Sequence, residues 1–474
     1  MVPNIYKFKD KFLYWEEKAN CFNFKINHLS IYRFIRLDLF QLLIFKEEKI
    51  TNIQAIDNSF SQMKSVSIGL RMLNNSLKFL SLLPHRRNKN FVISSSVNTI
   101  FNTFNSHYSD KYFHFIASNN EMGFLEFPFP PKLHQPKHEF SSHRIYGDIF
   151  YLVEYLTRVS KVHKVEIDSF LEEVISSFLA EFQFISFDEK ELLFLRKTFF
   201  NKISRNVKRK KGYHLLITLL NPKSILVKSA YDPINIVFQQ ICVEKRIPFA
   251  ELQHGHIYPL HMGYVLPKKH TDTFPDKLLC FDQFYKESLV RNAGWAPEKI
   301  SIVGNPLKEF FQPENASTIS EKKRLGNIVI VMQHSIPNVF KNFLKEARKY
   351  PNYNFIVKLH PKFKEIQEQQ LNEVFKLNNN IKLVSDGNIQ TLFANSIAAV
   401  GVYSTALIEA KEIGCKVFLI PHILSDYYDD FVENNIFHKV TDLNQLILMI
   451  ENKVEQKSFS TIPTKKLLIN QVWS

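Results

Sequence analysis

The chain has 474 residues, which excludes a single small domain and fits two large domains or about three smaller ones. Hydrophobic residues make up 45% and charged residues 23%, so the chain can build buried cores and is not disordered throughout. The formal net charge of +15 favours an anionic partner, such as a phosphate-bearing ligand, an acidic membrane surface or nucleic acid. The cysteines are widely spaced and charges interrupt the apolar runs near the N-terminus, so neither a disulfide framework, a structural zinc site nor a secretory signal is indicated. We therefore expect a globular, cytoplasmic protein.

The pattern of apolar and polar residues changes several times in the first half of the chain. Residues 1–75 carry apolar side chains at helical spacing and predict a helical N-terminal region. A short apolar run at Asn90 opens into a Ser-rich loop, which is typical of the start of an α/β unit. Residues 118–145 are rich in Pro, Phe and His and predict a long irregular loop. Residues 146–211 return to helical periodicity.

From Leu215 onwards, short apolar runs alternate regularly with helical stretches. The first runs predict strands at Ser224–Lys228, Pro248–Gln253, Lys277–Phe281 and Lys299–Val303. Residues 305–324 are polar and charged and are typical of a linker. Beyond them, strands are predicted at Asn327–Met332, Asn354–Lys358, Ile381–Val384, Ala398–Val400 and Lys416–Ile420.

Strands that are joined through helices lie parallel in one sheet. The pattern therefore predicts an α/β fold with two doubly wound, Rossmann-like domains, covering residues 76–310 and 311–474, after the helical region. Ligands bind such sheets outside the carboxyl ends of the strands, so we expect the functional residues in these loops, around a cleft shared by the two domains.

Polar residues follow the predicted strands of the first domain. His254 is a candidate general base, because the unperturbed pKa of imidazole is about 6.5, although a structural hydrogen-bonding histidine is equally compatible with the pattern. Asp232 is a second candidate base, or an ordinary N-cap before the proline that starts a helix. His256, His261 and Tyr264 continue the loop after His254 and are candidates for the lining of an acceptor pocket.

The second domain offers candidates for phosphate binding. Lys358, His360 and Pro361 follow a predicted strand and supply positive charge, hydrogen bonding and a fixed turn. Ser404 and Thr405 stand between a strand and a helix, where free N–H groups favour an anion, although simple capping would explain them as well. The remaining candidates are Glu409, for a ribose hydroxyl, and the strand-end residues Gln333 and Gly304.

The densest basic segment is Arg205–Lys211, which follows an apolar, aromatic stretch. This pattern predicts a helix on an anionic membrane surface, or alternatively a solvated basic loop. The motifs GxxxxGK[ST], GxSxG, HExxH and GxGxxG are absent, which argues against a P-loop nucleotidase, a common serine hydrolase, a zincin and a dinucleotide dehydrogenase.

Four motifs in order resemble GT-B glycosyltransferases of bacterial surface-polysaccharide synthesis. They are Gln253-His254-Gly255, Val303-Gly304-Asn305-Pro306, His360-Pro361 and the segment from Ser404 to Ala410. The resemblance covers roughly Leu215 to Ile450 and extends to capsule polysaccharide synthesis proteins, bacterial sialyl- and polysialyltransferases and teichoic-acid glycerophosphotransferases. It implies that the second domain binds the donor through His360, Pro361, Ser404 and Thr405. The acidic base motif of the sialyltransferases is not visible, and the capsule and glycerophosphotransferase branch implies His254 as the base.

The resemblance further implies a metal-independent, inverting sugar transfer that needs no cofactor. A CMP-, CDP- or UDP-linked donor would supply the sugar, and a growing capsule or lipopolysaccharide glycan, or a lipid-linked glycan, would accept it at the inner face of the plasma membrane. A sugar-nucleotide epimerase of the same architecture is the alternative, with Asp232 and Glu251 as its candidate carboxylates. A non-enzymatic nucleic-acid binder would explain the charge but not the strand-end motifs, so we expect no nucleic-acid partner.

Overall fold

The computed structural model describes residues 5–47, 66–102, 106–117, 119–128, 134–135, 137–307, 326–333, 336–359, 369, 378–385, 388–458 and 466–473. The chain divides into two compact units. The first unit comprises Lys9–Ile257, His261–Pro306 and Ile462–Ser474, and the second comprises Met1–Phe8, Tyr258–Leu260 and Leu307–Thr461. Most of the predicted linker lies outside the described residues. Below, the strands of the two large sheets are numbered β1–β13 and the α-helices α1–α13.

The helices up to residue 293 include long, well-capped elements. They are α1 (Ile5–Lys18), α2 (Arg36–Glu47), α3 (Val66–Arg86), α4 (Asp148–Leu156), α5 (Lys161–Glu181), α6 (Glu189–Leu220), α7 (Pro233–Lys245) and α8 (Gln283–Ala293). Asp188 and Glu191 form a reciprocal capping box at the start of α6, and Gly294 ends α8 with a φ of 70°. Helices α1 and α2 lie in the N-terminal region, with a short antiparallel pair of strands, Lys25–Ile26 and Leu29–Ser30, between them.

The large sheet of the first unit consists of parallel strands. These are β1 (Asn90–Ser95), β2 (Met122–Phe127), β3 (Arg144–Tyr146), β4 (Ser224–Lys228), β5 (Phe249–Leu252), β6 (Lys277–Cys280) and β7 (Ile300–Ile302). Their spatial order is β7-β6-β5-β4-β1-β2-β3, and every neighbouring pair is parallel. Strands covered on both faces are continuously apolar, which is why β4, β5 and β6 are visible in the sequence.

The prediction of one long irregular loop over residues 118–145 is wrong. The segment contains β2 and leads into β3, so it supplies one flank of the sheet. Every residue of β2 is buried, and its run therefore lacks the alternation that marks a half-exposed strand. The Pro- and Phe-rich residues that follow β2 obscured its end.

Aromatic side chains fill the core between this sheet and its helices. Phe150 of α4 meets Tyr213 of α6 edge-on at 4.9 Å between ring centroids, and Tyr213 stacks on Phe238 of α7 at 5.2 Å. The C-terminal segment also belongs to this unit, because Leu467–Leu468 pairs with Ile116–Ala117. Helices α4, α6 and α7 are therefore joined to one another by aromatic contacts, and the C-terminal segment packs in the same unit.

The second unit repeats the same topology. Its strands are β8 (Asn327–Val331), β9 (Asn354–Lys358), β10 (Ile381–Val384), β11 (Ala398–Gly401), β12 (Lys416–Leu419) and β13 (His438–Lys439). Their order is β10-β9-β8-β11-β12-β13, again parallel throughout. The helices are α9 (Pro337–Leu344), α10 (Ile389–Ala394), α11 (Ala406–Ile413), α12 (Asp429–Glu433) and α13 (Leu443–Glu451). The sequence did not predict β13, which is only two residues long.

Both sheets thus have the strand order of a Rossmann fold, and the predicted α/β fold class is confirmed. The order reverses direction between β1 and β4 in the first unit and between β8 and β11 in the second. Such switch points are where these sheets open a crevice for a ligand at the carboxyl ends of the strands. Within the described residues, no helix is both long enough and apolar enough to cross a bilayer.

Candidate active site

The loop after β4 carries Tyr231 and Asp232. The chain turns at Ser229, whose φ is 59°, and enters α7 at Pro233. Asp232 occupies the N-cap position but makes no side-chain capping bond to the helix. Burial raises the pKa of Asp232, while the nearby positive charge of Lys228 opposes that shift. The Asp232 side chain therefore does not cap α7 through a hydrogen bond.

His254 follows β5 and takes part in a chain of hydrogen bonds. Its Nε2 lies 3.2 Å from the hydroxyl of Tyr231, and that hydroxyl lies 3.3 Å from Nε2 of His261. Nδ1 of His254 is buried and has no hydrogen-bond partner among the described residues. Burial, followed by the charges of Lys228, His261 and Lys111, holds the pKa of His254 well below its usual range. The imidazole is therefore neutral at pH 7.

The proton positions in this chain follow from the loop beyond it. The backbone N–H of Gly263 donates to Nδ1 of His261 at 3.1 Å, and burial lowers the pKa of His261 to about 3. The neutral ring of His261 therefore carries its proton on Nε2 and donates to the Tyr231 oxygen. If His254 also donates to that oxygen, its Nδ1 holds a free lone pair; if Tyr231 donates to His254, Nδ1 carries the proton. The direction of the hydrogen bond between His254 and Tyr231 therefore decides which nitrogen of His254 carries the proton.

Glu251 anchors both loops of this site from inside β5. Its carboxylate accepts a hydrogen bond from the Tyr264 hydroxyl at 2.5 Å and further bonds from the backbone N–H groups of Ala230 and Ser229. Burial raises the pKa of Glu251 to about 8. Tyr264, a candidate for the lining of an acceptor pocket, is 1% exposed and its hydroxyl is bonded to Glu251, so its acceptor role stays a prediction. An acidic residue inside an apolar strand was the sequence signal for this anchor.

An ion pair from the N-terminal helical region supports the same loop. Arg36 of α2 binds Glu16 through two hydrogen bonds, at 2.5 and 2.9 Å, and also donates to the carbonyl of Met262. Both charged side chains are buried. The sequence indicated Arg36 only as a charge within an apolar stretch. Its tertiary contact links α2 to the loop that carries His261.

The remaining first-unit candidates are His256 and Gly304. His256 is buried with its ring edge-on to Tyr285 at 5.8 Å. Gly304 follows β7 with a φ of 84°, a left-handed conformation that favours glycine. The predicted contact of Gly304 with the nucleotide or its phosphates stays a prediction.

Gln333 and Tyr403 bridge the switch point of the second sheet. Gln333 follows β8 and is 7% exposed, and its Oε1 accepts a hydrogen bond from the backbone N–H of Tyr403 at 3.3 Å. Tyr403 follows β11. The bond therefore joins the carboxyl ends of the two strands between which a Rossmann-type ligand binds.

Lys358 also reaches the carboxyl edge of this sheet. It ends β9, and its Nζ donates to the carbonyl of Ser385, which follows β10, at 2.5 Å. His360 and Pro361 lie outside the described residues, so their predicted phosphate contacts stay predictions. The position of Lys358 puts a buried cation among the strand ends that face the expected ligand.

The turn between β11 and α11 has one capping hydroxyl. Ser404 Oγ accepts from the backbone N–H of Ala406 at 3.3 Å, whereas Thr405 has helical backbone angles, is exposed and makes no side-chain cap. The Tyr428 hydroxyl donates to the Ser404 carbonyl at 2.9 Å and fixes the turn. Glu409, one turn into the helix, accepts from Gln390 at 2.9 Å.

The basic segment Arg205–Lys211 lies within α6, so the alternative of a loop is wrong. Arg205 and Arg209 pair with Glu154, at 3.1 and 2.8 Å, and Lys210 pairs with Glu244. These carboxylates neutralise part of the charge that suggested a membrane surface. In the described parts of the chain, no group of three or more His, Cys, Asp or Glu side chains is arranged to hold a metal ion.

No protein-family model matches the chain, and no curated protein matches its sequence. Solved structures with a similar overall architecture include UDP-GlcNAc 2-epimerase from Methanocaldococcus jannaschii, with 14% identity and a TM-score of 0.49 over 81% of this chain and 98% of that one. The UDP-GlcNAc 2-epimerase from Neisseria meningitidis, bound to UDP-GlcNAc, has 12% identity and a TM-score of 0.43 over 81% and 97%. The lipopolysaccharide outer core galactosyltransferase WaaB, in its apo form, has 13% identity and a TM-score of 0.41 over 78% and 92%.

These similarities concern the fold alone, and the strand orders of this chain define two Rossmann-type sheets. The similar structures include both epimerases and a transferase, at TM-scores below 0.5.

Proposed function

We propose that the chain is a glycosyltransferase that moves a sugar from a nucleotide-activated donor to a growing capsule or lipopolysaccharide glycan. One observation carries this proposal: a neutral histidine, His254, stands at the carboxyl edge of a Rossmann-type sheet with a ring nitrogen that lacks a partner among the described residues. A neutral imidazole with a free lone pair is the group that an acceptor hydroxyl needs as a general base.

The proposed chemistry is an inverting displacement. His254 keeps its own proton on Nε2, hydrogen-bonded to the Tyr231 oxygen, and takes the acceptor's hydroxyl proton on Nδ1, so that the ring becomes an imidazolium. The acceptor oxygen forms a bond to the anomeric carbon, and the bond from that carbon to the nucleotide phosphate breaks with its electron pair. Asp232 orients the hydroxyl, or replaces His254 as the base, and His256 and His261 belong to the acceptor side.

The second unit supplies the proposed donor site. Lys358 is the last residue of β9 and Ser404 follows β11, so both stand at the carboxyl edge of this sheet. A cation and a helix N-terminus there favour the departing phosphate of a CMP-, CDP- or UDP-linked sugar. Glu409 and Gln333 complete this site, together with the sequence-predicted contacts of His360, Pro361 and Thr405. In this mechanism the leaving group is stabilised by protein groups without a metal.

A lipid-linked acceptor would bring the enzyme to the inner face of the plasma membrane. Within Arg205–Lys211, the described structure pairs neither Lys208 nor Lys211 with a carboxylate. These two cations are the proposed contacts with anionic lipid.

The epimerase alternative is favoured by one feature of the first unit. Two carboxylic acids, Asp232 and Glu251, have raised pKa values, and protonatable carboxylates suit the removal and return of a proton on a sugar. Glu251 is already bonded to Tyr264 and two backbone N–H groups, which fits an anchoring role better than proton exchange with a substrate.

Two measurements test the proposal. Thermal stabilisation by CMP, CDP, UDP and GDP is expected to be selective for one nucleotide, and to fall in Lys358→Met and in the double variant Ser404→Ala with Thr405→Ala. Lys382→Met, an exposed lysine on β10, is the control. The purified protein is then incubated with the sugar derivative of that nucleotide, with and without bacterial surface glycans. Nucleotide release that depends on the glycan supports transfer, whereas conversion of the sugar without any acceptor identifies an epimerase.

A further inference from the structure

The first unit holds a pair of lysines that the proposed mechanism does not use. We propose that Lys111 and Lys228 bind an anionic group of the acceptor, a carboxylate or a phosphate, beside His254. This inference rests on the proposed function, because it names the chemical class of the acceptor for that site.

Both lysines converge on one buried aromatic ring. Nζ of Lys111 lies 4.9 Å from the ring centroid of Tyr112, and Nζ of Lys228 lies 5.0 Å from the same centroid. Tyr112 is only 6% exposed, so the ring is a fixed support for both cations. Both ammonium groups therefore lie within 5.0 Å of one ring centroid, and the charges of both also act on the neighbouring His254.

Neither ammonium group has an ion-pair partner within the part of the chain that the structure describes. Asp110 and Asp232 lie within electrostatic range of Lys228, but neither forms a close pair with it. One oxygen of Asp110 accepts the Ser94 hydroxyl, and the other accepts the backbone N–H groups of Tyr112 and Phe113 at 2.9 and 3.1 Å.

The two carboxyl groups near Lys228 are also weaker acids than usual. Burial raises the pKa of Asp110 to about 6 and also raises that of Asp232, so both carboxyl groups hold their protons more readily than usual. Half-buried cations without a close counter-ion are electrostatically unfavourable, and an arriving anion would relieve that cost. The positive charges of the two lysines would therefore stabilise an anion bound beside them.

The lysine pair adjoins the proposed catalytic group. The ring of His254 lies edge-on to Tyr112, at 6.2 Å between centroids, and the charges of Lys228 and Lys111 both lower the pKa of His254. A bound anion would offset those charges and raise the pKa of His254 towards neutrality, where an imidazole is most effective as a base. The same group would thus hold the acceptor and activate the histidine.

Carboxylates and phosphates share the chemistry that this site recognises, so the test compares both with a neutral sugar. Binding of glucose, glucuronate and glucose 6-phosphate is measured by isothermal titration calorimetry at low salt, with no nucleotide sugar present. We expect at least one of the two anionic sugars to bind about tenfold or more tightly than glucose, as a charge-assisted hydrogen bond provides. The preferred anion distinguishes an acidic sugar from a phosphorylated acceptor.

Variants of the two lysines test whether these side chains cause the preference for an anionic sugar. Lys228→Met and Lys111→Met are expected to reduce the preference for the anion by about tenfold each, and Lys228→Arg to retain it. Lys223→Met is the control, because Lys223 is exposed just before the amino end of β4 while Lys228 stands at its carboxyl end. The control removes the same charge and is expected to change nothing, and thermal melting confirms that each variant is folded.

Three results overturn the inference. The first is equal affinity for glucose and both anions, and the second is a preference for the anion that survives in the double variant Lys111→Met with Lys228→Met. The third is that Lys228→Met weakens only the binding of the nucleotide. The last result would assign the lysines to the donor phosphate. Because the assay involves no turnover, its failure is separate from that of the proposed function. Anion preference in a protein that never transfers sugar would overturn the transferase proposal only.

Discussion

The hydroxyl of Tyr264 donates a 2.5 Å hydrogen bond to the carboxylate of Glu251, deep in the first unit. Glu251 lies on β5, and it also accepts the backbone N–H groups of Ser229 and Ala230 after β4. One buried carboxylate thus fixes the loop that carries His261 and the turn that carries Tyr231 and Asp232. The geometry of the candidate active site depends on this bond.

The first prediction concerns the pH dependence of stability. Burial raises the pKa of Glu251 from its ordinary value of 4.5 to about 8, so the folded protein binds a proton more tightly than the unfolded chain. The stabilisation that this proton provides is therefore complete below pH 4.5 and is lost as the pH rises towards 8. Glu251→Gln, which cannot ionise, should lack this loss.

The measurement is denaturant unfolding of the wild type and of Glu251→Gln at several pH values between 5 and 8.5, a window that follows from the raised pKa. The difference between their free energies of unfolding should shift by more than about 1 kcal/mol in favour of the variant as pH rises. Glu298→Gln, an exposed carboxylate of the same unit, is the control. Parallel curves for Glu251→Gln and the wild type would contradict the prediction.

The second prediction concerns Tyr231 as the link between two histidines. Tyr231→Phe removes the oxygen that lies 3.2 Å from His254 and 3.3 Å from His261, so the proton of His254 is no longer held on Nε2. We expect kcat to fall by about 10²-fold, with the KM for the nucleotide sugar unchanged, because proton transfer is affected and donor binding is not. Tyr155→Phe, on an exposed residue of α4, should leave both constants unaltered. An unchanged kcat in Tyr231→Phe would remove Tyr231 from the mechanism.

The third prediction separates the two candidate bases. His254→Ala should lower kcat by about 10²- to 10⁴-fold, whereas Asp232→Asn should cost less, because it keeps the shape and one oxygen of the side chain. Steady-state rates at saturating donor over a range of pH provide the test. A larger loss in Asp232→Asn, with His254→Ala nearly active, would make Asp232 the base and His254 a binding group.

The fourth prediction concerns the buried pair of Arg36 and Glu16. Arg36→Met leaves Glu16, which is 0% exposed, as a buried charge without its partner. We expect a loss of about 3–5 kcal/mol in the free energy of unfolding, measured with denaturant. The double variant Arg36→Met with Glu16→Gln should recover part of that loss, because the stranded charge is removed. A double variant less stable than Arg36→Met would show that Glu16 does not depend on Arg36 for compensation.

The sequence by itself determined the fold class and most strands of the regular region. Buried parallel strands are continuous apolar runs between turn residues, and Ser224–Lys228 and Asn354–Lys358 are visible for that reason. The strand at Met122–Phe127 was missed, because its Pro- and Phe-rich surroundings suggested irregular structure. A local apolar pattern therefore predicts a strand correctly where the composition of the neighbouring residues also indicates regular structure.

Only the tertiary structure decided which side chains act together. Strand order depends on pairing between segments far apart in the chain, such as β1 with β4, and no local pattern encodes it. The sequence singled out His254, but its bond to Tyr231, and an Nδ1 with no partner in the described part of the chain, appear only when two loops meet. Likewise Lys228, at the carboxyl end of β4, and Lys111, which follows the antiparallel pair Thr99–Asn102 and His107–Asp110, meet at the ring of Tyr112 only in the folded chain.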